Sequence, residues 1–419
     1  MKIKNQFRIL YKRIVGSIAF LPGVIALCFL ILSIIMLEID FSSIGTNLKT
    51  NTDWLRLKDA STARSIISTI AAALLSLTVF SFSMVMIVLN QAASQMSNRV
   101  LTSMIQNRFQ QIVLGCYIGT IVYALSLLST IRDTSNNTSI PSLSIYLLII
   151  LTVIAIFMFI YFLDYVTKTV KYETVIDRVE KKTLTTIYET FETEEAEYNR
   201  PNSEGIPITV PDSGYFQGFN KDSLLKTATE NDLVVHFRYK RSTFVLRDTI
   251  LLEVFTKNPM TKETISKVIN AVDLYNGQPI EQNADYGCLQ LTEIAIKALS
   301  PGINDPATAV LSLNSLTNVL ANRLYCKQPE IYKDNHNTLR IYCPSSDFKE
   351  IFQECILPIW KYGQNDQFIQ EAMHKVITML KESDTKNVYH NLFDQFLLKI
   401  KEKIAEESTL NYPLILKQK

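Results

Sequence analysis

The 419-residue chain carries 42 Lys and Arg against 40 Asp and Glu, a formal net charge of +2. That balance excludes the strongly basic make-up of a nucleic-acid-binding protein, and the length leaves room for more than one folding unit. The average hides a division: charge is almost absent from long stretches before Asp164 and dense after Lys168. An apolar part that enters a membrane, followed by a soluble part, is predicted.

Four segments in residues 1–166 are long and apolar enough to cross about 30 Å of hydrocarbon, which takes about 20 residues of helix. They are predicted at about 14–37, 65–89, 112–131 and 141–163. None carries a charge at its centre, where insertion would cost about 2.5–3.5 kcal/mol. The first follows a basic tail (Lys2, Lys4, Arg8, Lys12, Arg13), as a signal peptide would. Its apolar run is too long for one and no A-x-A site precedes Glu38, so a retained helix is expected.

The loop at 38–62 is slightly acidic, through Glu38, Asp40, Asp53 and Asp59. The loop at 90–111 carries Arg99 and Arg108 without an acid, and Lys168 and Lys171 follow the fourth span. The positive-inside bias then puts the N-terminus, the 90–111 loop and the C-terminal part in the cytoplasm.

The second span has a distinctive face. Thr62, Thr69, Ser76, Ser83 and Asn90 recur every seven residues and share one side of a helix. Ser65, Ser68, Ala72 and Ala73 broaden it, whereas Leu75, Val79 and Met86 are expected to point elsewhere. Small and hydroxylated residues suit close helix packing. The same residues suit a helix that lines water, and both readings stay open. Gly115 and Gly119 form a G-x-x-x-G pair in the third span, expected to be a packing notch. No Asp, Glu, Lys or His lies mid-membrane, so no proton relay is indicated.

Behind the fourth span, Tyr172, Ile176, Val179, Leu184, Ile187 and Phe191 recur at helical spacing. One continuous helix running out of the membrane is expected, with 167–198 as extension and linker. The acidic run Glu192 to Glu197 ends it, and Pro201, Gly205, Pro207 and Pro211 read as a linker. A soluble α+β domain is placed at 211–419. Between Leu233 and Phe255 the chain is rich in β-formers, with a hairpin turn expected at Lys240-Arg241. Helices are expected at about 261–273, 288–299, 306–324, 346–360, 366–381 and 387–407.

The sharpest local motif runs from Ala298 to Ala309. Pro301-Gly302 stops one helix after Ser300, Asn304 leads on, and Asp305 precedes Pro306 as N-cap and first helical residue of the next. It is either a structural interhelical turn or, since a helix N-terminus offers free N–H groups, a ligand motif for an anion. A similar stop-and-restart is expected at Tyr362-Gly363, with Asn365 or Asp366 opening the next helix.

Chemistry-bearing constellations are missing. Six cysteines stand singly, without a C-x-x-C pair. Four histidines are scattered, and no nucleophile elbow, H-E-x-x-H, Walker A or G-x-G-x-x-G sequence occurs. No enzyme, metal site or cofactor is expected.

Three stretches resemble a bacterial family of predicted membrane proteins known as a domain of unknown function. They are Ser81 to Leu89 running on through Gln91 and Ser94 to Arg99, Leu114-Gly115 to Tyr123, and Ala298 to Ala309 preceded by Asp285-Tyr-Gly287. Gly214-Tyr-Phe-Gln217 belongs with them. The resemblance implies an inner-membrane protein with a cytoplasmic C-terminal domain and supplies no activity. The chain departs from it at Arg238-Tyr-Lys-Arg241, where such proteins often carry a Pro-Gly turn.

The expected fold class is mainly α: a four-helix transmembrane domain followed by a soluble α+β domain with a small β element and several helices. Two functions compete. One is an oligomeric channel or transport-type protein for an ion or small solute, with the second spans lining a path and the soluble domain regulating it. The other is a non-conducting, membrane-anchored sensor or scaffold. The expected partners are the lipid bilayer and further copies of the chain, with no nucleic acid.

Overall fold

The computed structural model describes residues 19–43, 45, 59–95, 108–131, 140–169, 171–193, 198, 200–275, 280 and 283–411. Two compact units divide at Lys171/Tyr172.

The first unit contains α1 (Phe20–Phe41), α2 (Ala60–Gln95), α3 (Arg108–Thr130) and α4 (Ser142–Thr169). All four are long and apolar enough to cross a membrane. Large apolar side chains such as Leu27, Ile87 and Phe157 stand exposed, as a lipid-facing surface requires. The start of the predicted first span, residues 14–18, lies outside the described residues.

The notch of α3 is occupied by α1. A Cβ on Gly115 would lie 2.7 Å from Ile25 Cδ1, and one on Gly119 would lie 2.8 Å from the Phe29 ring. Ser33 donates across the same contact to Ser126 Oγ at 2.8 Å. Interhelical hydroxyl bonds of this kind substitute for the hydrophobic drive that lipid removes. α2 joins through Ala60, Ala63 and Ile67, which pack with Tyr123, Ala124 and Leu127 of α3 and Ile145 and Leu148 of α4.

The first span was expected to end at 37, with Asp40 in a solvated loop. The helix instead runs to Phe41, and Asp40 is fully buried. Its carboxylate accepts from Ser144 N at 2.7 Å, Ser144 Oγ at 2.6 Å and Leu143 N at 3.3 Å. It thereby caps the first turn of α4, where the peptide N–H groups lack partners and the helix dipole favours an anion.

The second unit opens with α5 (Tyr172–Thr190). The expectation of one continuous helix out of the membrane is corrected: α4 ends at Thr169, and Lys171 N closes a turn onto Lys168 O. Nothing in the sequence marks this break, because the apolar spacing continues across it in phase.

Strands β1 (Ile206–Thr209), β3 (Val234–Phe237), β5 (Ile250–Phe255), β7 (Ile331–Lys333) and β8 (Leu339–Tyr342) form a five-stranded sheet, ordered β1-β5-β3-β8-β7. Its pairings are antiparallel except β3 with β8. β2 (Gly214–Phe219), β4 (Phe244–Val245) and β6 (Val272–Tyr275) form a second sheet, ordered β4-β2-β6. α6 (Lys221–Glu230) and α7 (Lys262–Asn270) close a core of Phe216, Leu224, Phe237, Leu252 and Val268. The other layer is helical: α8 (Ala284–Ala298), α9 (Pro306–Arg323), α10 (Phe348–Gly363), α11 (Gln367–Ser383) and α12 (His390–Asn411). α5 packs against α8 and α9.

The predicted linker contains β1. Pro207 is admitted because β1 is an edge strand, where a missing N–H breaks no ladder. The expected hairpin at Lys240-Arg241 is a crossing between sheets: the chain turns at Arg241-Ser242, Ser242 takes φ 75°, and β4 pairs with β2, not β3. The helix expected at 261–273 stops at Asn270, and 272–275 is strand.

Candidate functional site

The polar face of α2 points out of the membrane unit. Thr62, Thr69, Ser76, Ser83 and Asn90 are all exposed, as are Ser65, Ser68, Ala72 and Ala73. The opposite face supplies Ala63, Ile67 and Leu74 to the core, each 0% exposed. The stripe therefore does not pack α2 onto its own chain's helices. Thr62 serves a local purpose, donating with Ser61 to the Asp59 carboxylate at the start of the helix (both 2.7 Å). Ser76 donates to the Ala72 carbonyl at 3.1 Å. Leu75, Val79 and Met86, expected elsewhere, are 56%, 60% and 51% exposed and flank the same side. Polar and small residues thus hold the first half of the outward face, and bulky apolar ones dominate the second.

The 298–309 turn is built from hydrogen bonds within it. Ser300 Oγ donates to Lys297 O at 2.6 Å, and Ser300 O accepts from Ile303 N and Asn304 N. Asn304 takes φ 50°, a left-handed conformation that Asn tolerates. Gly302 has open space at its Cβ position, so Pro301-Gly302 marks a helix stop without a close approach. Asp305 accepts from Thr308 N at 3.1 Å and Thr308 Oγ1 at 2.6 Å, with Pro306 in the first turn of α9. The N–H that an outside anion would use is already occupied. Asp305→Ala should therefore lower stability by about 0.5–2 kcal/mol, read by thermal unfolding of the full chain. Asp305→Asn, which keeps an acceptor oxygen, should be nearly silent. At the second restart, Asp366 accepts from Ile369 N at 3.2 Å, and Gly363 lies against Ile369.

A third constellation escaped the sequence. Arg323 at the end of α9 is 1% exposed, and its Nη2 lies 2.9 Å from Asp285 Oδ1 at the start of α8. Arg241 also feels the Asp285 carboxylate, while its own Nη1 and Nη2 donate to Gln328 Oε1 (3.1 Å) and Tyr332 OH (2.6 Å). Above them Lys240 pairs with Glu350 of α10 at 2.6 Å, holding the Glu350 carboxyl below its usual range. The buried Cys288 and Cys355 thiols adjoin the pair, and burial pushes both upward, Cys355 to about 12. They are thiols and not nucleophiles there, since thiolate is the reactive form. Among the described residues no cluster of three or more His, Cys, Asp or Glu could hold a metal ion.

A unit of four apolar, membrane-length helices followed by a folded α+β unit defines a polytopic membrane protein. The chain matches the family "Predicted membrane protein (DUF2254)" over residues 16–379, and it belongs to that family. It is similar to uncharacterized proteins of Mycobacterium bovis and Mycobacterium tuberculosis, 22% identical to each over 335 residues and 77% of this chain. The chain spans 64% of the length of these relatives. No solved structure matches it.

Proposed function

We propose that the chain acts as a homo-oligomer in the bacterial plasma membrane. In this reading the α2 faces turn toward one another around a path for an ion or small solute. The soluble unit lies in the cytoplasm and regulates, without catalysis of its own. One observation carries this: the hydroxyl-rich face of α2 points away from its own four-helix unit. Polar groups at membrane depth face either protein or a water-filled cavity. A second copy supplies the first and a central path the second. The orientation rests on the basic 90–111 loop, with Arg99 and Arg108, and on Lys168 and Lys171.

The second reading is a non-conducting sensor or scaffold, favoured by Ser76. Its hydroxyl is already satisfied by its own helix, so it needs neither water nor a partner.

Cysteine labelling separates the two. In a chain with Cys28 and Cys116 replaced, single cysteines at Thr69, Ser76 and Ser83 should react with small water-soluble thiol reagents, because thiolate forms where water reaches. Ile67 and Leu74, buried in the unit, and Phe157, 68% exposed on α4, serve as core and lipid-facing controls and should stay protected. If the three α2 sites are as inert as Phe157, the conducting reading fails and the scaffold reading takes its place.

A further inference from the structure

We propose that His236 is an acid-operated catch in the soluble unit: its neutral ring holds Tyr198 and the segment around it onto the five-stranded sheet, and its protonation releases that segment. The device is separate from the α2 face, and neither reading depends on the other.

Alternation along the strands builds the surface it acts on. Val235, Val254 and Ile341 belong to the core and are fully buried, so their neighbours point to the other face of the sheet. There Glu253 of β5, His236 of β3 and Tyr342 of β8 stand in register as one cross-strand row. Tyr198 and Arg200, in the chain between α5 and β1, lie over this row. The Tyr198 ring stacks on Tyr342 with centroids 3.9 Å apart, and Tyr342 stacks on His236 at 4.9 Å. Tyr198 OH meets His236 Nδ1 at 2.7 Å. Two residues on, Arg200 Nη2 donates to Glu253 Oε2 at 2.5 Å. The segment is thus fastened at two points. One of them is a histidine, the side chain that changes charge near neutrality.

The surroundings favour the neutral ring. His236 is half-buried among Tyr198, Tyr342 and the Phe255 ring, which lies edge-on at 6.4 Å. Glu253 is the acid of the row, and both Arg200 and Arg238 already pair with it. An imidazolium would stand as a third cation beside one carboxylate. Burial first, and then the Arg200 and Arg238 charges, hold His236 below its usual value against the opposing pull of Glu253. Tyr198, pushed up to about 12 by burial, stays a phenol throughout. A phenol that donates to Nδ1 loses its acceptor when the ring is protonated. The folded protein takes up this proton less readily than a free side chain does. Attachment is therefore strongest above about pH 6.5 and weakens as pH falls from there towards the lowered value. Glu253, held below its usual range by Arg238, keeps its charge while His236 titrates.

Electron paramagnetic resonance of a nitroxide on Ser203→Cys reads the segment directly, in the full-length protein in detergent with Cys28, Cys116 and Cys326 replaced. Ser203 is exposed, and the remaining cysteines are buried. An immobilised spectrum at about pH 8 should give way to a mobile one by about pH 5, with its midpoint below about 6.5. His236→Gln, which does not titrate in this range, should abolish the transition. Arg200→Gln removes one opposing cation and should raise the midpoint. A spectrum constant over this range overturns the proposal. So does a transition that persists in His236→Gln, or a midpoint that Arg200→Gln leaves unmoved or lowers. If His236→Gln fails to fold, the direction of the Arg200→Gln change decides alone.

Discussion

Gly287→Ala should lower the melting temperature of the full chain, and Gly287→Val should prevent α5 from seating on the soluble unit. A Cβ at Gly287 would lie 1.7 Å from Thr183 Oγ1 and 2.8 Å from Thr183 Cβ and Cγ2. Thr183 cannot turn aside easily. It is fully buried, and its hydroxyl is bonded to the Val179 carbonyl at 2.6 Å. Alanine ordinarily gains about 1 kcal/mol over glycine inside a helix. Overpacking costs about 1–3 kcal/mol or more, so the clash must exceed the propensity gain for the expected loss to appear. Thr183→Ala combined with Gly287→Ala should recover much of it. Thermal unfolding followed by circular dichroism reads each variant. A Gly287→Ala protein more stable than the parent would show that α5 does not approach α8 this closely.

That contact illustrates what the sequence makes legible. Gly287 stands out only as part of Asp285-Tyr-Gly287, because its partner Thr183 lies about a hundred residues earlier on another helix. The four spans are readable because each carries a long, uncharged run, and α8 to α12 because their apolar spacing and caps are local. The interruption between α4 and α5 is not readable, since neither Gly nor Pro marks it. β1 is hidden by Pro207, and β7 and β8 are three and four residues long, too short for alternation to register. The heptad of hydroxyls on α2 is plain in the sequence, but its direction is set by which other face packs on α3 and α4. Asp40, Asp285 and Arg323 read as ordinary surface charges, because burial depends on partners remote in the chain. Asp40 finds Ser144 about a hundred residues away.

Asp285→Leu should be more damaging than Arg323→Leu, although the two residues form one pair. Removing one partner of a buried ion pair costs about 3–5 kcal/mol, because the other is left as an uncompensated charge. Here the two losses are unequal. Without Arg323, Asp285 still stands in the first turn of α8, where the helix dipole favours an anion. Without Asp285, Arg323 stays 1% exposed and keeps the Ser346 carbonyl as its hydrogen-bond acceptor. Asp285→Leu should therefore fall at or above the upper end of that range and Arg323→Leu at the lower end. A domain of ordinary stability, about 5–15 kcal/mol, survives the second more readily than the first. The double substitution should recover most of the loss, since replacing both partners with apolar groups removes the charge and its desolvation together. Denaturant titrations of the four proteins measure this directly. Equal losses for the two single variants would mean that the start of α8 does nothing to stabilise the Asp285 carboxylate once its partner is gone.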